Sequence, residues 1–171
     1  MVWPEKNLIF NGYFDIKSPD AEFPLGWVKV NGDDGTTLAW TGDFVDIINR
    51  RTVKVTNRKY TESFTGIVQD QQYSIEVRPG VVWELAAWMR TARAGIPLRL
   101  IAVFLNENGE YHGERHLKFT STTKLERYSG LVVAPPGARR LKVACGVHDT
   151  PETLPSELWI TWVTFRRLGD L

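Results

Sequence analysis

The sequence predicts an all-β fold, a two-sheet antiparallel β-sandwich of the jelly-roll kind. Apolar residues recur mostly with period two, and the segments that carry them are rich in Val, Ile, Trp, Tyr, Phe and Thr. Turn-forming clusters separate these segments at short intervals, as a sandwich requires. Helical periodicity is nearly absent. The 171 residues suit one domain, 1–171, with room for a real core. A content of 43% hydrophobic and 24% charged side chains is ordinary for a soluble globular chain and argues against disorder or a membrane span.

In order, the predicted strands are Leu8–Phe10, Trp27–Val30, Phe44–Ile48, Thr52–Thr56, Phe64–Gln69, Tyr73–Val77, Val82–Thr91, Leu98–Asn106, Tyr111–Phe119, Glu126–Val133, Arg140–Val147 and Leu158–Arg166. Asn31 to Gly35, Pro79-Gly80, Asn106 to Gly109 and Pro135 to Gly137 read as turns. The Asn108-Gly109 pair is the strongest hairpin signal, since the tightest hairpin turns need residues that accept positive φ. Residues 149–157 are the most proline-rich and polar stretch and read as a loop before the last strand.

Alternation assigns faces. Trp83, Leu85, Ala87 and Met89 form one apolar set that faces the core, while Glu84, Ala86, Trp88 and Arg90 form a mixed set on the other side. Leu141, Val143, Cys145 and Val147 likewise face inward. Their alternates, Lys142, Ala144, Gly146 and His148, are small and polar and suit the floor of a groove. Trp159, Thr161, Val163 and Phe165 share a face in this reading, which turns Trp162 out of the sandwich.

Charge and cysteine content narrow the partners. With 21 basic and 20 acidic side chains the net charge is +1, too little to concentrate the chain on nucleic acid. The single Cys145 excludes an intrachain disulfide and a zinc site built on cysteine pairs, and its apolar neighbours mark it as inert core. No apolar run approaches ~18 residues, so no membrane partner is expected, and residues 1–6 lack the pattern of a secretory signal. An extracellular or particle-surface location fits a binding domain, but the sequence does not fix it.

Several segments, taken together and in order, resemble the jelly-roll carbohydrate-binding modules appended to cellulases and xylanases, a branch of the galactose-binding-like sandwiches. They are Asn7-Leu8-Ile9-Phe10-Asn11-Gly12-Tyr13-Phe14-Asp15, Pro24-Leu25-Gly26-Trp27, Gln71 to Gly80 with Trp83 to Trp88, and Leu125 to Tyr128 with Val133 to Gly137. The resemblance implies a non-catalytic domain that binds an oligo- or polysaccharide. It also implies a structural calcium, for which the matched positions offer Asp15 and backbone carbonyls. The family's closing strand carries an acid that helps bind this calcium, and Ile160 to Phe165 has none, although calcium prefers several oxygen ligands.

A sugar site needs flat aromatics for the C–H faces of the rings and planar hydrogen-bonding groups for the hydroxyls. Trp88 stands on the mixed face beside Glu84 and Arg90. His112, Glu114, His116 and Lys118 alternate along one strand, about 7 Å per two residues, too spread for one metal centre without partners from other strands. That strand reads as a solvated or ligand-facing surface, an oligomer contact or, with such partners, a metal site. Tyr128, Trp162 and Trp40 are further candidates, and an exposed Trp162 calls for a cover: a sugar, a neighbouring subunit or the N-terminal segment with Trp3. The expected ligand set is therefore Trp88, Arg90, Glu84, Glu114, His116, His112, Tyr128 and Trp162. A glycosidase would need two carboxylates about 5 to 10 Å apart, which Glu84 and Glu114 would supply only if they shared a face. Beside the sugar-binding reading stands a structural or interaction domain of a phage particle or bacterial surface assembly, a homo-oligomer.

Overall fold

Among the described residues there are eleven strands: β1 (Trp27–Val30), β2 (Thr36–Thr41), β3 (Thr52–Asn57), β4 (Thr65–Gln69), β5 (Ile75–Glu76), β6 (Val81–Thr91), β7 (Pro97–Leu105), β8 (Tyr111–Thr120), β9 (Glu126–Val133), β10 (Arg140–Val147) and β11 (Ser156–Asp170). The computed structural model describes residues 6–30, 36–41 and 51–171, with the backbone alone for Thr36, Trp40 and Thr41. A first sheet runs β1-β4-β10-β7-β8, with β5 also on β10, and a second runs β2-β3-β11-β6-β9. Every pairing is antiparallel. The jelly-roll sandwich expected from the sequence is the fold observed.

The core lies between the sheets and is filled as alternation requires. Leu85, Ala87 and Met89 of β6, Leu98, Leu100 and Ala102 of β7, Leu141, Val143 and Cys145 of β10, and Leu158, Ile160 and Phe165 of β11 are all fully buried. Burying each Leu, Ile, Met or Phe stabilises the fold by roughly 1.5–3 kcal/mol. Burial also pushes the Cys145 thiol far up from its usual pKa, so it stays protonated and packs as a hydrophobe.

Three strand assignments change. Residues 8–10 are not a strand, although Leu8 N–H donates to Phe165 O at 2.9 Å. Tyr73–Val77 splits, because Asp70 caps a single 3-10 turn over Gln71–Tyr73 and leaves only Ile75–Glu76 extended. Strand β2 sits where no strand was expected, and Phe44–Ile48 lies outside the described residues.

The opening motif closes one end of the sandwich. Asn11 adopts φ 48°, and its amide donates to Ile16 O and Leu25 O at 2.8 and 2.9 Å while its Oδ1 accepts Ile16 N–H at 3.0 Å. Its carbonyl takes the Trp27 indole N–H at 3.1 Å. Phe14, fully buried, then packs edge-on against Trp27 with ring centroids 5.5 Å apart. Asn7 stitches the same segment to β11, its amide donating to Val163 O and its Oδ1 accepting Phe165 N–H.

A bulge in β11 changes which of its side chains face out. The register against β6 shifts between Thr161 and Thr164, with Trp162 at φ 48°. Leu158 and Ile160 therefore point inward before the bulge, Val163 and Phe165 after it. Trp159 is thus on the outer face, not among the core set as alternation alone implied. Trp162 packs edge-on against Tyr13 at 5.5 Å, so the N-terminal segment supplies its cover; Trp3 lies outside the described residues.

Candidate functional site

The predicted ligand residues divide between two outward faces. β6 turns Leu85, Ala87 and Met89 into the core, so Glu84, Trp88 and Arg90 stand on the outer face of the second sheet. β8 pairs with β7 in the first sheet, Leu117 meeting core residue Leu100 and His116 meeting outward-facing Ile101. Glu114 and His116 consequently point the opposite way from Trp88 and Arg90. One groove holding Trp88, Arg90 and His116 does not exist, and Glu84 and Glu114 cannot form a carboxylate pair around one bond.

Two other expected ligand residues are turned away. Tyr128 is inward-facing and buried, packing on Phe119 with centroids 5.2 Å apart, because β9 directs Tyr128, Gly130 and Val132 to the core. Its hydroxyl accepts Thr122 N–H at 3.3 Å. His112 leaves the alternation of β8 at a bulge where Gly113 has φ 96°. Its Nε2 lies 2.7 Å from Pro136 O, facing the loop between β9 and β10.

On the second sheet the polar groups are largely committed to one another. Arg127 and Arg166 both donate to Glu84 Oε1, at 2.5 and 2.9 Å. Desolvation acts to raise the Glu84 pKa, but the hydrogen bonds and charges of the two guanidiniums outweigh it and hold the carboxyl below its usual range. Its contribution to stability is present above the ordinary carboxylate pKa and is lost as pH falls through the lowered value. Trp159, which sequence reasoning placed inside, stands between Arg90 of β6 and Lys54 of β3 in the register. Arg90 Cζ lies 4.6 Å and Lys54 Nζ 4.9 Å from the indole centroid, so cations already occupy the ring's faces. Trp88 is half-buried.

The first sheet presents a different surface. Lys118, Arg99, Gly146, Gly66 and Val30 form one row across β8, β7, β10, β4 and β1, and His116, Ile101, Ala144, Val68 and Val28 form the next. Phe64, Ile101 and Ala144 cluster on this outer side, with Val30, Val68 and Val103 against them. Gly66 and Gly146, both buried, let β4 and β10 approach closely, since a Cβ on either would lie 2.0–2.1 Å from a carbonyl oxygen of the other strand. Over this apolar floor stand polar side chains, with Glu114 Oε1 2.6 Å from His116 Nε2. Arg99 and Ile101 were missed as site residues. Their signal was present, because the apolar set Leu98, Leu100, Ala102 and Phe104 leaves Arg99 and Ile101 facing out.

His148 extends the same face. Partial burial, then the charges of Arg99, His116 and Lys118, hold its imidazole below the usual histidine pKa, with Asp149 opposing. The unfolded chain takes this proton near pH 6.5 and the folded one resists it, so stability falls as pH drops below that value. Between about pH 7.5 and 5, His148→Gln is expected to lose less melting temperature than the parent protein; an equal loss would contradict this placement.

A cleft of about 1010 Å³ opens elsewhere, at the end where β5, β6, β10 and β11 meet, and none of the expected ligand residues lines it. Its Arg140 is held by Ser74 and its Arg167 by Asp170. Among the described residues no three His, Cys, Asp or Glu side chains gather as a metal site. Asp15 is exposed, while Gly12 O and Val163 O already accept Val163 N–H and the Asn7 amide. A chelator is expected to leave the melting temperature nearly unchanged, whereas removal of a bound stabilising ion would lower it.

No family model matches the sequence, and no curated protein matches it by sequence. Solved structures do resemble it. The enzymatically active domain of bacteriophage CBA120 tailspike protein 4 superposes with a TM-score of 0.69 at 18% identity, covering 95% of this chain and 21% of that one. The CBM22-1 xylan-binding domain from Paenibacillus barcinonensis Xyn10C gives 0.65 at 13% identity and covers 100% of both chains. The CBM22-1 and GH10 modules of a Clostridium thermocellum xylanase give 0.63 at 16% identity, covering 85% of this chain and 27% of that one. The chain thus spans about a quarter or less of the tailspike and xylanase chains, and the whole of the isolated xylan-binding domain. At these identities the likeness establishes a shared architecture: this chain has the β-sandwich fold found in the tailspike domain and in the xylan-binding domain.

Proposed function

We propose that this domain is a non-catalytic glycan-binding module whose ligand lies along the outer face of the first sheet. One observation carries the reading: β7, β8 and β10 present Arg99, Glu114, His116 and Lys118 side by side over the floor of Ile101, Ala144 and Gly146. Planar and cationic groups suit sugar hydroxyls, and the floor beneath them, with Ile101 5% and Ala144 3% exposed, is buried and holds them in place. Polar groups here only exchange water for hydroxyls, so affinity is expected to be about micromolar or weaker.

Affinity electrophoresis in gels cast with soluble xylan, β-glucan or galactan tests this. Arg99→Ala and His116→Ala are each expected to reduce retention about 2- to 5-fold, as loss of partly exposed charged contacts does, with nearly unchanged melting temperatures. Trp88→Ala is expected to keep retention. The reverse pattern would move the ligand to the second sheet and to aromatic stacking on Trp88 with Arg90.

A second reading, an interaction domain of a particle, draws on the tailspike likeness and on Leu131 and Val133. These are 57% and 42% exposed on edge strand β9. No glycan retention together with a solution mass that is a multiple of 19.5 kDa would favour it.

A further inference from the structure

The glycan face of the first sheet is not electrically balanced. Arg99 and Lys118 are cross-strand partners on β7 and β8, and Lys142 shares the face on β10, two pairs of residues further along than Gly146. Arg140 also faces outward on β10, opposite Glu76 of β5, so against these four cations the outward positions of the described strands supply two carboxylates: Glu76, which faces Arg140, and Glu114, which is already 2.6 Å from His116. β1 and β4 contribute only Val28, Val30, Gly66 and Val68 to this side. Asp149, next in sequence to His148, is buried and turned inward to Asn57 and Ser156. A nearly neutral chain therefore concentrates positive charge on the one surface that suits a sugar.

We infer that the glycan is acidic, a polysaccharide whose rings carry carboxylates. This rests on the glycan-binding reading of the same face and narrows its ligand class. The Arg99 guanidinium matches a carboxylate in plane, and Lys118 beside it adds a point charge. Lys142 meets a second carboxylate about 13 Å along the sheet, four residues of strand from the first row. Glu114 and His116 are left for ring hydroxyls.

The test compares polygalacturonate with the same polymer fully methyl-esterified, which keeps the rings and removes the charges, alongside neutral xylan. Affinity electrophoresis and calorimetry at low and at about 0.3 M salt read the outcome. Polygalacturonate is expected to be retained more strongly than its ester, and to lose affinity with salt as the charges are screened. Arg99→Gln, Lys118→Gln and Lys142→Gln should each weaken it about 2- to 5-fold, as partly exposed charge pairs do, and Arg99→Glu with Lys118→Glu should abolish it. Arg127→Gln, on the opposite face, should change nothing.

Equal retention of the ester and the acid would overturn the acidic ligand while leaving a glycan module in place. Retention of neither polymer nor xylan would overturn both. Equal binding to inorganic polyphosphate would reduce the face to an unselective polyanion surface, and would also overturn the inference.

Discussion

Asp149→Ala is expected to lower the melting temperature by about 10 °C, the largest effect of any polar substitution considered, for a side chain far from the proposed ligand. The carboxylate is 3% exposed and is the point where the β10–β11 loop is fastened to the body of the second sheet. Its Oδ2 accepts the Asn57 amide at 2.8 Å and the Ser156 hydroxyl at 2.6 Å, and its Oδ1 accepts the Thr153 hydroxyl at 2.7 Å. Asn57 ends β3 and Ser156 begins β11, which pair at that position. Alanine would leave the Asn57 and Ser156 donors buried without a partner, at about 1–3 kcal/mol each. With roughly 2–4 °C per kcal/mol for a chain of this size, the loss is large on any calorimeter. Asp149→Asn keeps one carbonyl acceptor and should fall between the two. A change under about 3 °C for the alanine variant would show that the loop is fastened by something else.

Gly146→Ala is the second large effect, and here the cause is steric. The new Cβ would sit 2.1 Å from Thr65 O and 2.8 Å from Gly66 Cα, both main-chain atoms of β4 that cannot rotate away. β4 and β10 would have to part along the ladder that joins Gly146 to Gly66 and Cys145 to Ile67. Overpacking of this kind costs about 1–3 kcal/mol or more, so the variant should melt roughly 5 °C or more below the parent. Glycan retention should fall with it, because β10, which pairs with β7 at Arg99 and carries Lys142 on the same face, is displaced. A variant of unchanged stability would mean that β4 and β10 are not as close as the pairing requires.

Most of the architecture was legible because period-two alternation survives wherever one sheet face is dry. Trp83, Leu85, Ala87 and Met89 on β6, and Leu141, Val143, Cys145 and Val147 on β10, lie where their spacing put them. Alternation fails where the backbone departs from it. The bulge around Trp162 reverses the face of Trp159, and neither Thr161 nor Val163 advertises a left-handed residue between them as a glycine would. Gly113 does carry that signal, and it lies between His112 and Glu114, where the two side chains part.

The site was less legible for a different reason. Alternation tells which side of its own strand a residue occupies, but not which of two sheets the strand joins. Trp88 and His116 both read correctly as outward-facing, yet β6 and β8 belong to different layers, and only the long-range pairing of β7 with β10 and of β6 with β11 decides that. Tyr128 was misplaced within its strand, since Arg127, Tyr128 and Ser129 offer no apolar alternation to orient them.

The position of β11 also governs how this chain must be made. It is the last of the described strands to emerge from a ribosome, yet it lies in the middle of its layer, between β3 and β6. Until it arrives, both of those strands hold open rows of amide and carbonyl groups, and half of the interior has no lid. Assembly of that layer is therefore a late, long-range event, slow in the way that distant pairings are slow. A nascent chain halted before Ser156 would present two adhesive borders at once, and would depend on chaperones until synthesis resumed.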